Sequence, residues 1–365
     1  MELQKETAQE LVYSWRPGCS VETIEEIAQD ASTRRYFRLA LKDPDPTSPT
    51  SIIVMKIADK GSQEIGGAAS DISSDLAYVR LTKFFKSKSV HVPSIYLDAR
   101  EQGFLLVEDL GVDSLGDIVD VKSSRFSEEE KDEIYKKAID QIIAIQNCQA
   151  EASFFAFKRG FDRDLFFKEC SEFTEFFLPT HHEFSSLDLD RVNMMIGELC
   201  QELSLRPRVL AHRDFHPWNL QLDSQGQVRV IDFQDALLAP ATYDLASLLN
   251  DRGVDQLLGQ RRCRLLMHYY FSSVGESKEK LREFDRCLLQ RDLKVVGRFE
   301  KLAVTRGLSR YRKWISPTLY RIGQTMERII KDSASEPYSR ALDSLSNLFP
   351  EVAEGRKNPF MLREV

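Results

Sequence analysis

The chain has 365 residues, more than one hydrophobic core ordinarily serves, so two lobes are expected. Its 42% hydrophobic and 29% charged residues exclude a disordered chain, and no run of about eighteen apolar residues marks a membrane span. Fifty Lys and Arg against fifty-seven Asp and Glu leave a net charge of −7, which gives no global attraction to nucleic acid or membrane lipid. The start, Met1-Glu2-Leu3-Gln4-Lys5-Glu6, lacks the basic and apolar regions of a signal peptide. Cys19, Cys148, Cys170, Cys200, Cys263 and Cys287 show no metal-ligand spacing, so reduced thiols in a cytoplasmic protein are expected.

In chain order, alternating and β-branched runs predict strands over residues 21–28, 35–41 and 51–57, with a proline-rich loop at 43–49. Residues 75–88 carry Leu76, Val79, Leu81, Phe84 and Phe85 at helical spacing, and strands follow around 94–97 and 103–107. Glu108-Asp109-Leu110-Gly111 ends a strand-rich first lobe, residues 1–110, that contains one predicted helix. Ser127 opens a helix with an acidic first turn, and helices are predicted over 161–178, 187–205, 243–250, 254–272, 278–306 and 317–333. The expected fold is α+β and bilobal, protein-kinase-like: a small mixed β-sheet lobe for nucleotide, then a larger helical lobe, 111–365, for catalysis and substrate.

The segment His212-Arg213-Asp214-Phe215-His216-Pro217-Trp218-Asn219 is followed thirteen residues later by Asp232 in Ile231-Asp232-Phe233. Phosphoryl transfer needs one carboxylate beside the attacking hydroxyl and oxygen ligands that hold Mg²⁺ against a triphosphate. Asp214 suits the first role; Asn219 and Asp232 suit the second. Between them, Leu220-Gln221-Leu222, a turn at 223–226 and Val228-Arg229-Val230 read as a hairpin that returns Asp232 alongside Asn219. The competing reading is a chance string in a loop.

Other positions carry two readings each. Lys56 ends an apolar strand, where it either holds ATP phosphates or lies on a solvated edge. Ser32, Thr33 and Arg34 lie in a turn that either covers phosphate or is an ordinary β-turn with no glycine pattern. Main-chain groups of Glu108, Asp109 and Leu110 either read an adenine edge or simply leave a core strand. His212 orients the loop; Asp244 caps its own helix or anchors the loop amides. His216 reaches substrate or packs under Trp218.

With these motifs in place, the chain resembles the aminoglycoside phosphotransferase and choline kinase superfamily, nearest the bacterial anomeric kinases of N-acetylmuramate and N-acetylglucosamine. The resemblance rests on 30–38 (Asp-Ala-Ser-Thr-Arg-Arg-Tyr-Phe-Arg), 106–111, Phe161-Asp162-Arg163, Asp232-Phe233-Gln234-Asp235-Ala236, Thr242-Tyr243-Asp244-Leu245 and 293–299. It implies transfer of the ATP γ-phosphoryl group, with Mg²⁺, to a sugar's anomeric hydroxyl in cell-wall sugar recycling. It also implies Asp214 as base, Asn219 and Asp232 as metal ligands, and Lys56 on phosphate.

The chain departs from the pattern at Gln29, where glycine is expected, and in offering Asp71 or Asp75 rather than a Glu partner for Lys56. Arg291, Lys294 and Arg298 share one helix face that either meets an acidic sugar or is solvated, and Glu169, Asp235 and His216 are further candidates for sugar hydroxyls. The alternatives are a kinase for an aminoglycoside or choline-like alcohol, or a pseudokinase that binds nucleotide without transfer. The short link from Asp232 to the next helix leaves no protein-kinase activation segment. No sequence feature sets an oligomeric state.

Overall fold

A computed structural model describes residues 3–27, 34–43, 45, 47–57, 73–120, 125–151, 153–181 and 184–359. The chain divides into two compact units, residues 1–113 with 221–235, and residues 114–220 with 236–365.

The first unit begins with helix α1 (Lys5–Trp15), followed by β1 (Ser20–Ile27), β2 (Arg35–Lys42), β3 (Ser51–Lys56), helix α2 (Ser74–Ser87), β4 (Ile95–Ala99) and β5 (Phe104–Glu108). The sheet order is β1-β2-β3-β5-β4 and every pairing is antiparallel, which corrects the expected mixed sheet. The reason lies in α2. It carries the chain from β3 to the edge, as a parallel crossover would, but β5 then folds back as a hairpin into the slot between β3 and β4.

α1 is an element that strand-seeking missed. Its Ala8, Leu11 and Val12 recur at helical spacing and pack with Phe37, Leu39, Ile52 and Val54, so one sheet face is covered. Trp15 stacks on Tyr96 with ring centroids 4.8 Å apart. Ile52 to Met55 are all buried, as in a strand covered on both faces. The short hairpin Leu220–Leu222 and Val228–Val230 forms as expected, and most of it belongs to this unit.

In the second unit, α3 (Leu115–Val119), α4 (Glu128–Gln146), α5 (Arg163–Glu172), α6 (Leu178–His181) and α7 (Ser186–Ser204) precede a two-stranded antiparallel ladder, β6 (Arg208–Ala211) with β7 (Leu237–Pro240). Then come α8 (Tyr243–Asn250), α9 (Val254–Val274, broken at Gly259), α10 (Lys278–Arg306), α11 (Ile315–Ser333), α12 (Glu336–Leu348) and α13 (Pro350–Lys357). Ser127 and Glu130 close a reciprocal capping box at the start of α4.

The helix expected over 161–178 instead changes at Phe173–Phe177 into a π-helical turn. The change falls where α10 comes closest: a Cβ built on Gly297 would lie 2.4 Å from both Glu172 C and Phe173 N. Local widening at that crossing is the usual accommodation. All six cysteines are buried and unbridged. Among the described residues no helix is long and apolar enough to cross a membrane.

Candidate active site

The loop 212–219 follows β6, and Asp244, at the start of α8, holds its first turn. Asp244 is 1% exposed and accepts from the His212 amide (2.7 Å) and the Arg213 amide (3.0 Å). Burial pushes its carboxyl above the usual Asp range, against the opposing pull of His212 and of those two bonds. His212 Nδ1 accepts from the Asp214 amide at 3.3 Å, which puts the neutral ring's proton on Nε2. Asn219 Nδ2 donates to the Asp214 carbonyl at 3.0 Å, closing the loop on itself.

Arg213 sits at φ +81°, a strained conformation for a side chain of its size, and its guanidinium turns inward to Glu169 at 2.7 Å. The Asp214 carboxylate faces outward, with its side chain 41% exposed, and lies 3.4 Å from Lys294 Nζ and 3.8 Å from Arg291 Nη2. Partial burial raises its carboxyl, but Lys294, then Arg291 and Arg213, more than offset that and hold it well below the usual range. It is an acceptor that stays ionised.

The cationic stripe on α10 separates by depth. Arg291 is buried, donating to the Arg213 carbonyl (2.8 Å) and to Asp251 (2.8 Å). Lys294 bridges Asp214 and Glu169, at 3.4 Å from each. Arg298 forks onto Glu172 (2.6 and 3.0 Å), which Lys301 also meets at 2.9 Å. Glu169 further accepts from Gln290 at 3.2 Å; burial raises its carboxyl, but Lys294 and Arg213 outweigh burial and keep it ionised.

His216 is 9% exposed. Burial, then Arg252, pushes its ring down to about 4, so it is neutral at physiological pH. Its ring meets Trp218 edge-on at 6.2 Å. Trp218 lies so near Gly116 that a Cβ there would fall 2.4 Å from the indole. Asp251 and Arg252 escaped the sequence reading: they stand just beyond a predicted helix, and the signal was only the charged pair before a helix-ending glycine.

The first unit holds the other candidates. Lys56 ends β3, half-buried, opposite Arg35 and Phe104. Arg34 is buried and donates to Ser74 Oγ. Ser32, Thr33, Gln29 and Asp71 lie outside the described residues. The Glu108 carboxylate accepts from Arg229 (2.7 Å) and the Ser94 amide (2.8 Å), while Asp109 takes a bidentate Arg38 (2.7 and 3.0 Å). Both side chains therefore brace the strand exit, and Leu110 is buried.

Asp232 has φ +62°, which sends Phe233 into the core, stacked on Tyr78 at 4.9 Å, and leaves the carboxylate exposed. Its Oδ1 accepts from Gln234 Nε2 at 2.8 Å. Asp235 follows, half-buried.

Asn219 in the second unit and Asp232 in the first are each of a residue type that offers a hard cation an oxygen. The Asn219 NH₂ is used by a carbonyl, so its other side-chain atom is the acceptor oxygen Oδ1, and Asp232 is exposed. Among the described residues no cluster of three or more His, Cys, Asp or Glu could hold a metal alone.

Comparison with known proteins gives a consistent result. The profile described as the phosphotransferase enzyme family matches residues 23–284. The N-acetylmuramate/N-acetylglucosamine kinase of Pseudomonas aeruginosa is 29% identical over 294 residues, 78% of each chain. The protein of that name from Neisseria meningitidis serogroup B is 28% identical over 294 residues, 78% of this chain and 80% of its own. Among solved structures, ADP-bound aminoglycoside phosphotransferase APH(2'')-Ib superposes with TM-score 0.57 at 14% identity, covering 87% of this chain and 97% of that one. A choline kinase from Streptococcus pneumoniae gives 0.52 at 14% identity, covering 94% and 99%. The fold is therefore protein-kinase-like.

Proposed function

Because this chain belongs to the phosphotransferase enzyme family, we propose that it transfers the γ-phosphoryl group of ATP, with Mg²⁺, to the anomeric hydroxyl of an N-acetylated amino sugar. The acceptor is N-acetylmuramate or N-acetylglucosamine, and the setting is cytoplasmic recycling of cell-wall sugars. The observation that carries the choice of acceptor is the surroundings of Asp214. Lys294 and Arg291 stand at 3.4 and 3.8 Å from its carboxylate. Such a site suits a neutral or acidic sugar and repels the ammonium groups of aminoglycosides and choline.

The residues then take these roles. The acceptor hydroxyl donates to the Asp214 carboxylate, which aims its oxygen at phosphorus and takes its proton late in transfer, since Lys294 and Arg291 make that carboxylate a weak base. Lys294 and Arg291 offset the negative charge gathered between acceptor and phosphate. Asn219 and Asp232 would hold Mg²⁺, which when bound neutralises phosphate charge. Lys56, Ser32, Thr33 and Arg34 hold the phosphates, and the main chain of Glu108 to Leu110 reads the base.

The test is incubation with ATP, Mg²⁺ and a panel of amino sugars, aminoglycosides and choline, with the product phosphate located by ³¹P NMR. A sugar 1-phosphate is expected, and Asp214→Ala should slow it by a factor on the order of 10²–10⁴. Phosphate on another hydroxyl, or turnover only with a cationic alcohol, rejects the reading.

A further inference from the structure

Arg38 has no part in the roles above, yet its guanidinium is tied to the strand exit assigned to the base. It stands in β2, with Glu25 opposite it on β1, Ile53 opposite it on β3, and Val107 opposite Ile53 on β5. Asp109 lies two residues beyond Val107, so by strand alternation its side chain falls on the same face. That face is turned away from α1, which packs with Phe37, Leu39, Ile52 and Val54. β3 separates β2 from β5, roughly 9–10 Å across at the usual strand spacing, so only an extended side chain bridges them. Arg38 crosses that distance although the Glu25 carboxylate stands in register on the adjacent strand.

The contact it makes is a clamp rather than a single pair. Arg38 Nε donates to Asp109 Oδ2 at 2.7 Å, and Nη2 donates both to Asp109 Oδ1 and to the Gly111 carbonyl, each at 3.0 Å. Asp109 Oδ1 also accepts from the Gly111 amide at 3.0 Å. Both main-chain groups of Gly111 and both oxygens of Asp109 are thus committed, and Gly111 is held at φ +89°, a value that favours glycine. The Asp109 side chain is 5% exposed; burial raises its carboxyl, but the bonds from Arg38, Gly111 and Ser51 outweigh burial and keep it ionised.

On the strand side, Glu108 is fixed by Ser94, whose carbonyl accepts from the Glu108 amide at 2.9 Å, and by Arg229, 2.7 Å from its carboxylate. Leu110 lies between these anchors with its side chain buried, and its main chain takes no part in either. A short segment pinned on both sides presents its remaining N–H and C=O in a set direction, as main-chain recognition of a planar base requires.

We propose that Arg38 is the positioning residue of base recognition: by clamping Asp109 and Gly111 it sets the Leu110 main chain in the orientation that hydrogen-bonds the nucleobase. The proposal rests on the reading of Glu108 to Leu110 as the segment that meets the base, and it is independent of the acceptor.

The test measures Kd by calorimetry, with Mg²⁺, for ATP and for ribose 5-triphosphate, which lacks the base, on wild type, Arg38→Met and Arg38→Lys. The ratio of the two constants isolates the base. In Arg38→Met, Kd for ATP should rise on the order of 10-fold while that for ribose 5-triphosphate stays within about twofold, because main-chain bonds to the base are misplaced and phosphate contacts are not. Arg38→Lys keeps the charge beside Asp109 without the fork, so a rise of about threefold is expected for ATP. It carries the comparison alone if Arg38→Met does not fold.

An unchanged ratio in a folded variant overturns the proposal. So does an equal rise in both constants, which would mark Arg38 as a brace for the whole sheet. If wild type itself binds the two compounds equally, the base-reading role of Glu108 to Leu110 fails and the proposal falls with it. The acceptor is decided separately, by the ³¹P NMR panel.

Discussion

Asp244 gives the most quantitative handle on the catalytic loop. Its two oxygens take the amides of His212 and Arg213 at 2.7 and 3.0 Å, and neither amide has water to fall back on, since His212 is fully buried and Arg213 is 4% exposed. A hydrogen bond to a charged group contributes about 1.5–3 kcal/mol, so Asp244→Ala, which removes both, should cost roughly 3–6 kcal/mol. Asp244→Asn keeps one acceptor and turns an NH₂ toward the other amide. Because burial already pushes the Asp244 carboxyl up, the neutral Asn also removes a desolvation cost, so about 1.5 kcal/mol is expected there.

At about 2–4 °C per kcal/mol for a unit of this size, those losses lower Tm by roughly 3–6 °C for Asn and more than 6 °C for Ala. Trp218 and Trp314 lie in the second unit and Trp15 in the first, so tryptophan emission mainly follows the unit that contains the loop. At 25 °C the Asn variant should remain folded by circular dichroism, yet lose on the order of 10²-fold in kcat, as a loop displaced by about 1 Å would. An alanine variant as stable as wild type would refute the reasoning, since two buried amides would have found other partners.

Gly297→Ala places a methyl 2.4 Å from the Glu172 and Phe173 main chain, which cannot rotate away, so the urea midpoint should fall by more than the roughly 1–3 kcal/mol of ordinary overpacking. An unchanged midpoint would mean that α10 and the π turn can separate freely. Acidification tests Lys294. The Glu169 carboxyl is raised by burial and lowered further by Lys294 and Arg213, so its folded pKa lies below its unfolded one. Its contribution is then present above the unfolded value, about 4.3, and is lost as pH falls through the folded one. Lys294→Met should therefore move the acid-unfolding midpoint of the second unit upward, and a midpoint that stays put rejects Lys294 as the holder of that charge.

What the sequence could reveal followed from how local the signal was. The helices expected over 243–250 and 278–306 match the observed bounds, and for the second the stops are written in adjacent residues: Ser277 accepts from the Lys280 amide and Gly307 turns left-handed at φ +69°. The motif from His212 to Asn219 is equally local as a sequence, and two of its bonds, Asp214 amide to His212 and Asn219 to the Asp214 carbonyl, lie within it, although Asp244, Glu169, Arg291 and Lys294 hold it from a distance. Helices α12 and α13 went unread, although α12 buries Tyr338, Ala341, Leu342 and Leu345 at helical spacing. The π turn depends on Gly297, more than a hundred residues away, and no window around Phe173 contains that cause. Asp251 and Arg252 reach the loop only because α8 has a particular length.

The α10 stripe shows why spacing alone could not assign an acceptor. Arg291, Lys294 and Arg298 do share a face, as i, i+3 and i+7 residues must. That face does not meet solvent or substrate uniformly; it runs from the interior outward past fixed carboxylates. Arg291 is tied to Asp251, Arg298 to Glu172, and Lys294 stands between Glu169 and the half-exposed Asp214.

Counting Arg213, Arg291, Lys294, Arg298 and Lys301 against Glu169, Glu172, Asp214 and Asp251 gives five cations to four carboxylates. Every carboxylate in the set therefore already has a cation at its side. A polycationic acceptor would have to displace Lys294 or Arg291 to reach Asp214, whereas an acceptor hydroxyl has only to donate one hydrogen bond to the exposed side of that carboxylate. Under the proposed function, selectivity against cationic alcohols would follow from where the α10 charges are anchored, and substitution of Lys294 should relax it more than substitution of Arg298, whose partner is Glu172.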